Sequence, residues 1–131
     1  MKKIGIINQP IAAVIAGLGH TDRLAIADAG LPIPAGVNRI DLAVKAGLPG
    51  FMEVLETVLL EMQVEKAILA EEISKHNPHI ESSIKAVLVD IPIEIIPHEK
   101  FKQETHTAAA IIRTGECTPY ANIILISGVV F

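Results

Sequence analysis

Three stretches of this chain hold side chains that can move protons or grip hydroxyl groups. His20 lies in the run LGHTD from Leu18 to Asp22, Asp28 opens DAGLPIP, and RTGECTPYAN from Arg113 to Asn122 carries Cys117, Tyr120, Ala121 and Asn122. His98 follows an isoleucine-rich stretch. An imidazole, with an ordinary pKa of about 6.5, gives and takes protons near neutral pH without tuning. A carboxylate and an amide bind hydroxyl groups, and a tyrosine adds a ring face and a phenol, a combination suited to a small sugar. Each residue also has a plainer reading. His20, just past a helix end, could serve only the helix dipole; Asp28 could be a turn former before Ala29 and Gly30; Tyr120 could cover the turn after Pro119.

Other patterns point to less. His76 and His79 are three apart, but Asn77 and Pro78 between them begin a helix and no third ligand has a suitable spacing, so a solvated helix start is expected and no metal. Ser82-x-x-Lys85 matches a serine acyl-enzyme motif without its partner motifs and reads as a polar helix face. Cys117 has no neighbour that would lower a thiol pKa and is expected to be a packing residue, while His106 faces solvent. No phosphate-binding glycine loop occurs at a strand exit, which disfavours nucleotide cofactors.

These residues need elements to hold them. Ile11, Val14, Ile15 and Leu18 share one helix face, with Asn8 and Pro10 before it and Gly17 and Gly19 closing it. Arg23 to Ala27 reads as a short buried strand, which places Asp28 at its C-terminal edge. Ile40, Leu42 and Val44 alternate as a strand, and a second helix turns Met52, Leu55, Val58, Leu59 and Met62 inward. Lys66 to Ala70 is a further strand. The next helix has Asn77 as its cap, Pro78 as its first residue, and Ile80, Ile84, Val87 and Leu88 on its inner face. Ile91, Ile93 and Ile95 alternate, a polar helical segment covers Glu99 to Thr105, and Ala109 to Arg113 and Asn122 to Val130 close the chain as strands. Alternating helices and strands predict an α/β domain with a mostly parallel sheet, whose ligands bind in loops beyond the strand ends.

Length and charge bound the function. A chain of 131 residues suits one domain, 1–131, and 50% hydrophobic residues supply a sizeable core. A net charge of -4 and an aromatic content of 3% argue against nucleic acid, which needs positive charge and stacking surfaces. One cysteine allows no intramolecular disulfide and fits the cytoplasm. The apolar N-terminus is interrupted by Asn8, Gln9 and Pro10, which disfavours a secretory signal, and no stretch has the length for membrane insertion.

The strings LGHTD, DAGLPIP and RTGECTPYAN, with MKK at the start and Gly-Val-Val-Phe at the end, resemble the ribose pyranase and fucose mutarotase family from end to end. The resemblance implies His20 as catalytic proton donor and Asp28, His98, Tyr120, Ala121 and Asn122 as sugar-binding residues. It further implies a three-layer α/β/α sandwich with a mixed, mostly parallel sheet, no metal or organic cofactor, and a homodecamer of two pentameric rings with the sugar at a subunit boundary. The implied reaction exchanges β-D-ribopyranose and β-D-ribofuranose by acid–base ring opening and reclosure, supplying the furanose for phosphorylation. L-fucose mutarotation and a ribose-binding accessory role in uptake, without turnover, are the alternatives.

Overall fold

The computed structural model describes residues 1–131. Helix α1 (Gln9–Gly17) begins where the Asn8 side chain accepts the Ile11 N–H at 3.1 Å, and strand β1 (Arg23–Ala27) follows after one turn. Strand β2 (Arg39–Asp41) precedes helix α2 (Phe51–Leu59), where the Glu53 carboxylate reaches back to the Gly50 N–H at 2.9 Å. Strand β3 (Val64–Ala70), the single turn α3 (Ile73–His76), helix α4 (Pro78–Leu88) and strand β4 (Ile93–Ile96) come next. Helix α5 (His98–Glu104) and strands β5 (Ala110–Arg113) and β6 (Ile123–Ser127) complete the chain.

The six strands form one sheet in the order β2-β5-β1-β6-β3-β4. Only β6 runs against its neighbours, pairing antiparallel with β1 and β3, while β1–β5, β2–β5 and β3–β4 are parallel. The sheet is therefore mixed, as expected. Alternation along each strand supplies both faces: Leu24 and Ile26 of β1 join the core under α1, α2 and α4, whereas Ala25 and Ala27 join the one that holds Phe101 of α5. Helices thus flank the sheet on both sides.

Four elements differ from the sequence reading. The second helix, expected to carry Met62, ends at Leu59, and Met62 is buried from the turn that follows it. The expected strand through Val44 stops at Asp41, because its neighbour β5 ends at Arg113 and offers no further ladder; Val44 is exposed. The last strand ends at Ser127 rather than Val130, since Gly128 donates its N–H to Gln63 and nothing pairs beyond it. α3 was not foreseen, four residues being too few to show a helical period.

Candidate active site

Asp28, at the exit of β1, is held on three sides. Its Oδ1 accepts the N–H groups of Gly30 at 2.9 Å and Leu31 at 2.8 Å, and its Oδ2 accepts Asn122 Nδ2 at 2.8 Å. Asn122 returns the contact by accepting the Asp28 N–H at 2.9 Å. Asn122 is 1% exposed and directly precedes β6, so the two residues lock together the ends of neighbouring strands. The reciprocal pair fixes the amide's orientation: oxygen toward the Asp28 backbone, nitrogen toward its carboxylate. With Oδ1 filled, Oδ2 keeps one lone pair for a further donor.

His98 and Tyr120 close the same hollow. It has a volume of about 270 Å³ and is lined by Asp28, Leu31, Pro32, His98, Tyr120 and Asn122 among others. That lies below the roughly 300–1,000 Å³ of pockets for drug-sized ligands and suits a monosaccharide. His98 is the first residue of α5, its N–H donating to the Glu72 carboxylate at 3.0 Å. Its ring packs edge-on against Tyr120 with centroids 5.0 Å apart and stacks on Phe101 at 6.2 Å. Nδ1 of His98 is buried with no hydrogen-bond partner. A buried lone pair costs less than a buried N–H without an acceptor, so the neutral ring carries its proton on Nε2 and offers a donor to the hollow.

Tyr120 has φ +58°, a left-handed conformation uncommon for a side chain of this size. Asn77 holds it there. Read from the sequence as the cap of α4, Asn77 makes no side-chain bond to that helix; its Nδ2 donates to Thr118 Oγ1 at 2.8 Å and to the Pro119 carbonyl at 2.9 Å. The adjoining His76 ring packs on Tyr120 with centroids 5.4 Å apart. The segment read as a solvated helix start is therefore the clamp of the Tyr120 loop, a role its cap-like sequence conceals. His79 is exposed as expected, and no cluster of three potential metal ligands occurs.

His20 lies elsewhere. It precedes β1 while Asp28 follows it, and five residues at about 3.3 Å each put roughly 17 Å of strand between the two. Its Nε2 lies 2.8 Å from Glu65 Oε2, beside a second hollow bordered by Ser127, Gly128 and Phe131. Within one chain, then, Asp28, His98, Tyr120 and Asn122 meet, buried Ala121 lies between the last two, and His20 does not reach them.

The loop that bears Tyr120 is anchored at its other end by Glu116. Burial pushes this carboxyl up, but hydrogen bonds from the Phe51 and Thr118 N–H groups, the Thr118 hydroxyl and the Cys117 N–H outweigh it and hold the group below its ordinary value. Gly115 passes against the Leu48 backbone so closely that a Cβ there would collide with it. Cys117, expected to pack, is instead exposed, its thiol donating to the Gly115 carbonyl at 3.4 Å.

Residues 1–130 match the model of the RbsD / FucU transport protein family. The chain belongs to this family. Over all 131 residues of both chains it is 60% identical to a D-ribose pyranase of Laribacter hongkongensis and 54% identical to one of Bacillus cereus. The structure of Bacillus subtilis RbsD complexed with D-ribose superposes with a TM-score of 0.98 at 50% identity, covering all of both chains. A fucose mutarotase from Streptococcus pneumoniae, in complex with L-fucose, superposes at 0.82 with 26% identity, again over the whole of both chains.

Proposed function

We propose that this family member is a D-ribose pyranase, an enzyme that exchanges β-D-ribopyranose and β-D-ribofuranose through the open aldehyde. The observation that carries the reading is the hollow at the exit of β1 and the start of β6. There a fixed carboxylate–amide pair, an imidazole donor and a tyrosine ring converge, in a chain alike from end to end to D-ribose pyranases. Asp28, Asn122 and His98 Nε2 hold the hydroxyl groups, the Tyr120 ring covers a C–H face of the sugar, and Ala121 keeps the two polar neighbours in register. Opening the hemiacetal needs a proton taken from the anomeric hydroxyl and one given to the ring oxygen, which are acid–base tasks. His20 is the proton donor.

The separation of His20 from Asp28 along β1 supports a site made by two copies of the chain, His20 of one facing the sugar held by the other. A homodecamer of two pentameric rings satisfies this arrangement. Exposed apolar side chains at Ile4, Ile7, Leu60, Val130 and Phe131 are the surfaces that such packing would bury. No helix is long and apolar enough to cross a membrane, in keeping with a cytoplasmic enzyme that works on ribose and passes on the furanose for phosphorylation.

Saturation transfer between the anomeric protons of the ribose ring forms tests the activity. Wild type accelerates exchange, and His20→Ala loses most of it while still binding ribose. A wild type that binds ribose without speeding exchange would make the protein a carrier of the sugar and not an isomerase.

A further inference from the structure

Resting on the reading of His20 as proton donor, we propose that Glu65 is its positioning residue, holding the imidazole so that Nδ1 is the nitrogen that trades protons with the sugar. Glu65 is the second residue of β3, where the pairing with β6 slips between Val64 and Lys66. Such a bulge leaves a residue out of the ladder and re-aims its side chain. Gly128 makes room for it: a Cβ at that position would stand 3.2 Å from the Glu65 Cβ, tighter than side chains ordinarily allow. The bulge and the bare backbone bring Glu65 Oε2 to 2.8 Å from His20 Nε2.

The imidazole is held from its own side as well. Asp22 Oδ2 accepts the Gly19 N–H at 2.7 Å, Thr21 adopts φ +69°, and the Thr21 N–H donates to the Ser127 carbonyl at 2.9 Å, which pins the turn to the end of β6. The other nearby carboxylates are engaged elsewhere, Asp22 with Gly19 and Glu61 with the Ile6 N–H and Lys2. Glu65 is the carboxylate on the ring. The pair stays open to an approaching molecule, with side-chain exposures of 55% for His20 and 41% for Glu65.

An ionised carboxylate only accepts, so Nε2 carries hydrogen in both protonation states of the ring, and the proton that comes and goes is the one on Nδ1. In ring opening, the imidazolium gives its Nδ1 proton to the pyranose ring oxygen as the C1–O5 bond breaks and its electron pair moves to O5. The anomeric hydroxyl releases its proton to water and becomes the aldehyde oxygen. In reclosure O4 attacks C1, Nδ1 takes the O4 proton, and water returns a proton to the anomeric oxygen. Protons and charge balance over the cycle, and Glu65 never leaves Nε2. A carboxylate that fixes the tautomer and direction of an acid–base histidine is an established catalytic device.

The test uses the assembled protein and three measurements on Glu65→Gln and His20→Ala. An amide can turn its NH2 toward Nε2 and so stabilise the opposite tautomer. Glu65→Gln is therefore expected to lower kcat for ring exchange by about tenfold to a hundredfold, a share of what a positioned acid–base group contributes, with ribose affinity unchanged. Nitrogen-15 magic-angle-spinning NMR of histidine-labelled protein should find His20 as the Nε2–H tautomer when neutral, and in Glu65→Gln that signal should change. If His20→Ala abolishes exchange while Glu65→Gln keeps the wild-type kcat and the wild-type His20 spectrum, Glu65 has no such role. If His20→Ala exchanges ribose as fast as wild type, the reading of His20 falls and this inference falls with it.

Discussion

At the scale of single residues, the Asp28–Asn122 pair decides what the hollow can hold. Every polar atom of the pair is directed: the carboxylate accepts from two backbone N–H groups and an amide, and the amide oxygen accepts from the Asp28 backbone. Asp28→Asn should therefore be far from conservative. Its oxygen must stay with Gly30 and Leu31, which turns its NH2 against the NH2 of Asn122. Flipping Asn122 only moves the clash to the Asp28 N–H. Leaving such groups unsatisfied costs about 1–3 kcal/mol, so ribose affinity should fall about 5- to 150-fold by titration calorimetry. Equal affinity in Asp28→Asn would place the sugar outside this hollow.

Among the elements, the short turn α3 and the start of α4 serve the Tyr120 loop as well as the core, into which Ile73 is fully buried. Asn77 is 7% exposed and spends both of its amide contacts on Thr118 and Pro119, where the chain turns into the left-handed Tyr120. Asn77→Asp separates its two potential roles. An aspartate keeps the size and caps helices well, but it has no donor for Thr118 or Pro119. Ribose binding should weaken several-fold and the thermal midpoint should fall with the two lost contacts; unchanged stability with full affinity would make Asn77 an ordinary cap, since aspartate and asparagine cap about equally well. Glu116 works from the other end of the same loop, and its carboxyl is held below the ordinary value near 4.5. A depressed carboxylate contributes stability that is present above its unfolded pKa and lost as pH falls through the lower folded value. Acid unfolding should therefore be steeper in wild type than in Glu116→Gln below about pH 4.5, as read by denaturation midpoints across that range.

For the whole molecule, His20 and Asp28 lie at opposite ends of β1, so the proposed function needs two copies of the chain to bring them together. If a second copy completes each site, His20→Ala and Asp28→Asn subunits should complement. At ribose concentrations well below saturation each homo-oligomer should exchange the sugar slowly, Asp28→Asn through weakened binding and His20→Ala through the missing proton donor, but unfolding and reassembling a mixture should regenerate sites that draw a native His20 from one chain and a native Asp28 from another. Exchange activity rising above the sum of the two parents is the expected result, and sedimentation of wild type should give a large ring-like oligomer. A monomer at micromolar concentration, or parents that never complement, would overturn the shared site.

The sequence alone determined the elements whose signals are local. A short apolar run made β1, so Asp28 was placed correctly at its exit; Asn8 capped α1, and Pro78 opened α4. Short-range chemistry suffices there, because turns, caps and periodic faces depend on residues a few positions apart. Tertiary structure decided the rest. Only sheet order brings Asn122 beside Asp28, 94 residues away along the chain, and only the packing of α3 on the Tyr120 loop turns Asn77 from a cap into a clamp. The bulge that aims Glu65 at His20 exists because β3 must pair with β6, a partner that no local pattern names. Periodicity says which way a side chain points from its own element, but which element it meets depends on long-range strand pairing.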